Sequence, residues 1–163
     1  SHAHLDSKKL TEAQMKEEIE KGFSAVKTAI GTAPAPFFRF PGLGHTQVAL
    51  GYLASRNISM FSVDVDSNDF RSSGPDQVIN NVMTKLDKQG KGVILMHDLQ
   101  KSTAQALPTL LRRLKAGGYK VVHMRAKEQL ETLPEYDAML VKDQKVPAVA
   151  SRPISSVVQT VTQ

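Results

Sequence analysis

Apolar and polar positions along this chain follow two periods, one of three to four residues and one of two. In "TEAQMKEEIEKGFSAVKTAIG", residues 11–31, Met15, Ile19, Phe23, Val26 and Ile30 recur at spacings of three and four and predict one apolar helical stripe. Thr11 with Gln14 forms a capping-box pattern at its start, and Gly31 is placed to stop it. A Pro-rich break, "TAPAP", leads to a short extended run, "FFRFP", and then to "GLGHTQVALGYLASRN", a loop entering a second helix. "ISMFSVDVD" is β-branched and aromatic and predicts a strand. In "GPDQVINNVMTKLDKQGK", Pro75 suits a first helical turn, with Val78, Val82 and Leu86 on one side. "GVILMHD" is a continuous apolar run, the mark of a strand buried on both faces. "STAQALPTLLRRLKAGG" predicts a helix with Leu107, Leu110, Leu111 and Leu114 inward, and "YKVVHMR" predicts a last strand in which His123 packs.

Helix and strand therefore alternate four times, which means a parallel sheet with crossover helices, either open or closed into a barrel. An open doubly wound sheet begins with a strand and a glycine-rich phosphate turn, and neither is present. The chain starts with a helix whose preceding strand is missing. The expected fold class is thus α/β, a distorted or incomplete (β/α) barrel with parallel strands whose N-terminal strands are missing from this chain. Residues 1–131 form the domain portion. Residues 132–163 are polar, Pro-containing and β-prone, and are expected to be an irregular tail packed on the domain or extending from it.

Composition narrows the function classes. At 163 residues the chain is long enough for one domain with a core. No apolar run reaches the ~20 residues of a membrane-spanning helix. The net charge of +5 is scattered without a dense basic block or interleaved aromatics, which fits an acidic surface such as a bacterial wall better than nucleic acid. There are no cysteines, so disulfides and thiolate metal sites are excluded.

Polar residues stand where the predicted strands end. "FFRFP" presents Arg39, "SVDVDSNDF" presents Asp64, Asp66 and Asp69, and "VILMHD" presents His97 and Asp98. Active sites of parallel α/β folds assemble at the carboxyl ends of strands, so these residues are expected to share a rim. The period of two puts Leu95 and His97 on one face of their strand, and Asp64 and Asp66 on one face of theirs. A histidine in reach of a carboxylate on the neighbouring strand is held in one tautomer and suits a general acid. Each residue also has a plainer account alone: a strand boundary for His97, a self-bonded turn for 66–69, a surface ion pair for Arg39.

In order, "SHAHL", "FFRFPG", "DVDSNDF" and "LMHD" resemble the polysaccharide deacetylases, the NodB-homology domain of carbohydrate esterase family four. That family carries His-(Ser/Thr)-x-x-His, then Arg-x-Pro, then Asp-x-x-(Asp/Ser)-Trp, then Leu-x-His. The resemblance runs from residue 1 to about residue 130. It implies that His2 is the second metal histidine. The first, with an earlier motif carrying two aspartates, would lie on a companion N-terminal segment of the same protein, parted from this chain by proteolytic nicking and remaining associated with it. A tag remnant is the other account of "SH", and His4 falls beyond the site.

The resemblance further implies hydrolysis of N-acetyl groups on a GlcNAc-containing polysaccharide, peptidoglycan or chitin-like. The cofactor would be a divalent metal, zinc first, with cobalt or another ion as alternatives. Arg39 would orient the catalytic base and His97 would protonate the leaving amine, tuned by Asp66. The Gly42 N–H would be an oxyanion donor. Pro41, Phe70 and Leu95 would contact substrate, Leu95 at the acetyl methyl. The family usually has tyrosine where Gly42 follows the proline and tryptophan where Phe70 stands, changes that bear on the substrate. Export to the periplasm, wall or exterior is expected. Two rivals remain: a carbohydrate-binding pseudoenzyme of the same fold, and an unrelated open α/β domain binding a small molecule.

Overall fold

A computed structural model of the chain describes residues 10–143. His2, His4 and the tail beyond residue 143 lie outside the described residues. The described chain divides into two compact units, one of residues 10–61 with 125–143 and one of residues 62–124.

In the first unit α1 (Glu12–Ile30) begins at the expected capping box. Gln14 N–H donates to Thr11 Oγ1 at 3.2 Å and Thr11 N–H to Gln14 Oε1 at 2.9 Å, satisfying two end donors. Gly31 ends it in the left-handed conformation. Met15, Ile19 and Phe23 are buried as predicted, but Val26 and Ile30 are exposed, and Glu20 and Ser24 are buried instead. The buried face has rotated because Glu20 has partners. Its carboxylate accepts from Tyr52 Oη at 2.7 Å and from Arg56 Nε at 2.9 Å. Both partners belong to α2 (Gln47–Ser55) and its cap. Arg56 Nη2 reaches Glu20 Oε2 at 3.3 Å and the Glu131 carbonyl at 2.9 Å, so one guanidinium ties three segments. Burial, then the bond to Glu20, pushes the Tyr52 hydroxyl's pKa up; the Glu20 carboxylate raises that of Arg56.

β1 (Phe37–Phe38) pairs in parallel with β2 (Ser59–Met60), Phe37 opposite Ser59. The core is Met15, Ile19, Phe23, Phe40, Ala49, Leu53, Ile58 and Leu130. The described start of the expected tail is regular: α5 (Pro134–Asp143) is a helix lying on α1. Lys27 Nζ donates to Asp137 Oδ2 at 2.7 Å and to Thr132 Oγ1 at 2.9 Å, and these bonds anchor it.

The second unit repeats the strand–helix–strand plan. β3 (Val65–Asp66) and β4 (Ile94–Leu95) pair in parallel, Val65 opposite Ile94 and Asp66 opposite Leu95. Between them runs α3 (Pro75–Gln89), with Val78, Val82 and Leu86 buried as predicted and Ile79 beside them. α4 (Lys101–Ala116) follows, and its inner face is Thr103, Ala106, Leu110 and Leu114. Leu107 and Leu111, expected inward, are exposed, because four leucines span more arc than the contact with α3 covers.

Two strand expectations are corrected. "ISMFSVDVD" is not one strand: β2 and β3 are separated at residues 61–64 and fall in different units. Residues 119–125 form no strand, and Val121, Val122 and His123 are exposed. β-propensity records packing against a neighbouring strand, and no described residue pairs with this segment. No helix among the described residues is long and apolar enough to cross a membrane.

Candidate active site

The site grows from the turn that follows β3. Asp66 Oδ1 accepts the Asn68 N–H at 2.8 Å, an Asx turn, and Asn68 adopts the left-handed conformation that asparagine tolerates. The reversal is tied down from outside: Asn81 Nδ2 donates to the Ser67 carbonyl at 2.9 Å, Lys85 Nζ to the Asp66 carbonyl at 2.5 Å, and Ser67 N–H to the Leu95 carbonyl at 3.2 Å. A short 3-10 turn, Asp69–Arg71, then starts with Asp69 aimed at the end of β4.

Asp69 is buried and accepts three bonds. The His97 N–H donates to Oδ2 at 2.5 Å, Thr103 Oγ1 to Oδ2 at 2.6 Å, and His97 Nδ1 lies 2.7 Å from Oδ1. Burial works to raise the carboxyl pKa. The donors from Thr103 and His97 outweigh it and hold the value below the ordinary carboxylate range. Asp69 is therefore ionised at neutral pH and can only accept, so Nδ1 carries a proton toward it. Nε2, on a ring whose side chain is 42% exposed, is left to exchange a proton outward. Phe70 is 47% exposed and meets the imidazole edge to face, centroids 5.8 Å apart. Arg71 sits over the Phe70 ring at 5.0 Å.

The histidine's partner is thus Asp69 and not Asp66, a correction to the sequence reading. Asp66 spends its side chain on the Asn68 N–H, whereas the left-handed residue at 68 swings the carboxylate three positions on toward His97. An Asx-turn pattern followed by a second Asp beside an aromatic was the available signal. Asp64 is structural: its Oδ2 accepts the Val93 N–H at 2.7 Å. Leu95 is buried two residues before His97.

Arg39, Pro41 and Gly42 belong to the other unit. Arg39 follows β1 and is exposed. Pro41–Leu43 form a 3-10 turn in which Gly42 and Leu43 both have positive φ, 67° and 66°. His45 stacks on Phe40 with centroids 5.3 Å apart, a packing role.

The described residues do not fit a metal centre. No group of three or more His, Asp or Glu among them could hold an ion, and both Asp69 oxygens are taken by protein donors. The one metal ligand expected from the sequence, His2, lies outside the described residues.

No protein-family model matches the chain. The bifunctional xylanase/deacetylase of Pseudobutyrivibrio xylanivorans is 30% identical over 131 residues, covering 75% of this chain and 20% of that protein. The chain spans 20% to 36% of the length of the curated relatives it matches. Among solved structures, the peptidoglycan deacetylase Bd3279 of Bdellovibrio bacteriovorus superposes with a TM-score of 0.69 at 30% identity, over 73% of this chain and 35% of that one. A family 4 carbohydrate esterase from Streptomyces lividans gives 0.66 at 26% identity, over 82% and 67%. A family-four pseudoenzyme from Bacillus anthracis shares the fold at 0.64 and 24% identity, over 73% and 41%. The chain is a relative of the polysaccharide deacetylases, the NodB-homology proteins of carbohydrate esterase family four.

Proposed function

We propose that the protein hydrolyses N-acetyl groups from a GlcNAc-containing polysaccharide, peptidoglycan or a chitin-like chain, and that His97 is the proton donor. Water adds to the acetyl carbonyl, the C–N bond breaks to give acetate, and the departing amine takes its proton from His97 Nε2. The observation that carries this is the buried, ionised Asp69 against Nδ1, beside an exposed aromatic face. Such a pair fixes the tautomer and keeps Nε2 as the ring nitrogen free to face a substrate.

The remaining roles follow the family likeness. Phe70 and Pro41 would border the sugar, Leu95 the acetyl methyl, Arg39 the base and Gly42 N–H the oxyanion. The likeness also implies a divalent metal, zinc first, with His2 among its ligands. The described residues supply no donor set for it, so the role derived for them is the acid half of the reaction. On this reading the protein works outside the cytoplasm at its polymer.

The test is acetate release from N-acetylated peptidoglycan and chitin oligomers by the intact protein. We expect His97→Ala to lower kcat by about 10²–10⁴-fold, the usual contribution of a general acid. Equal rates in the two proteins would sink the assignment. Polymer binding with no release by the unaltered protein would instead make it a carbohydrate-binding pseudoenzyme.

A further inference from the structure

We propose that Thr103 is a positioning residue of the acid site: its hydroxyl, sharing Asp69 Oδ2 with the His97 N–H, reserves Oδ1 for the imidazole and fixes which ring nitrogen holds the inner proton. This rests on the reading of His97 as proton donor.

An aspartate carboxylate turns about a broad, two-fold torsion, so covalent geometry does not keep Oδ1 facing the ring. What stops it is the pair of donors on the other oxygen, which come from two elements. The His97 N–H belongs to the chain leaving β4, and the Thr103 hydroxyl to the first turn of α4. The hydroxyl bond, at 2.6 Å to an ionised acceptor, is of the short charge-assisted kind. Thr103 is itself well anchored. It is 6% exposed, β-branched and therefore stiff at its first torsion, and continues the inner face of Ala106, Leu110 and Leu114. The core of the unit thereby sets the plane of the carboxylate, and the carboxylate sets the tautomer. Neither Ser102, whose hydroxyl reaches only the Asp69 carbonyl at 3.5 Å, nor any other described side chain donates to Oδ2.

The experiment compares Thr103→Val, which removes the hydroxyl at nearly constant shape, with Thr103→Ser, which keeps it. Ring ¹⁵N signals of His97, assigned by their loss in His97→Gln, are recorded on the intact protein at neutral pH. kcat and KM are measured on an N-acetylated oligosaccharide. In Thr103→Val we expect the ring signals to move from an Nδ1–H pattern toward a mixture of tautomers. We expect kcat to fall about tenfold with KM unchanged, the size of one hydrogen bond to a charged group. Thr103→Ser retains both signals and rate. Should Thr103→Val not fold by circular dichroism, Thr103→Ala against Thr103→Ser isolates the same hydroxyl. Wild-type ring signals in the hydroxyl-free variant overturn the proposal, as does a Thr103→Ser that behaves like it. Shifted signals with no hydrolysis by the unaltered protein keep the positioning role and remove the deacetylase reading. Hydrolysis with unmoved signals does the reverse.

Discussion

Asp69 shows how much a single buried carboxylate can hold together. Its three donors come from His97, twice, and from Thr103, so neutralising it removes charge-assisted bonds to two elements at once. Asp69→Asn should therefore destabilise the protein by about 2–4 kcal/mol in urea unfolding, because an amide can turn at most one oxygen to those donors. The left-handed residue before it gives a second expectation. Asn68→Val should cost about 1–2 kcal/mol in the same measurement, since a β-branched side chain is strained at φ 51°. The position of His97 just past a strand was legible from "LMHD", since a polar residue at the end of an apolar run marks a strand end, whereas its candidacy as an acid came from the joint pattern of polar strand ends. Its partner was not legible. Choosing between Asp66 and Asp69 depends on the backbone turn at Asn68, which a two-residue strand period does not describe.

Helices carry the next scale of prediction. α1 and α2 meet across Glu20, Tyr52 and Arg56, where the carboxylate has no solvent to fall back on. Arg56→Leu strands that charge and should cost about 3–5 kcal/mol, while Tyr52→Phe, which removes one donor and leaves the ion pair, should cost about 1–2 kcal/mol. α4 offers a test of face. Leu110→Ala opens a hole in the core and should cost about 2–5 kcal/mol, whereas the exposed Leu111→Ala should change stability by less than about 1 kcal/mol. Thermal or denaturant unfolding of the pair decides it. Every predicted helix was recognisable because caps and periodic apolar positions are local. The rotation of α1 toward Glu20 was not, because its cause lies on α2. The strand expected over residues 119–125 failed for a related reason: Val121 and Val122 have the propensity but no described partner to pair with.

At the scale of the molecule, each unit has among its described residues one carboxylate held below its ordinary range. In one it is Asp69. In the other it is Asp137, where burial works upward and the Lys27 ammonium and Thr132 hydroxyl prevail. A carboxyl depressed on folding contributes stability above its unfolded value of about 3.9, and that contribution fades as pH falls through the lower folded value. Urea midpoints should therefore be level near neutrality and fall once the pH drops below about 4. Asp137→Asn should start from a lower midpoint and fall less over that window; an equal fall would remove the carboxylate from the account. The parallel pairing inside each unit was readable from strands separated by helices, but full alternation in one sheet was not met among the described residues: β3 follows β2 directly and the strands form two separate pairs, a division that "ISMFSVDVD", continuous in character, does not reveal.

Asp69 serves the fold through Thr103 and the His97 backbone as much as it serves the imidazole. A lineage that gave up hydrolysis would feel little pressure to keep a half-exposed ring, but it could not discard the acid behind it without loosening β4 from α4. Inheritance would then preserve the buried Asp and Thr after the chemistry had gone, and the silent descendant would still carry a catalyst's signature.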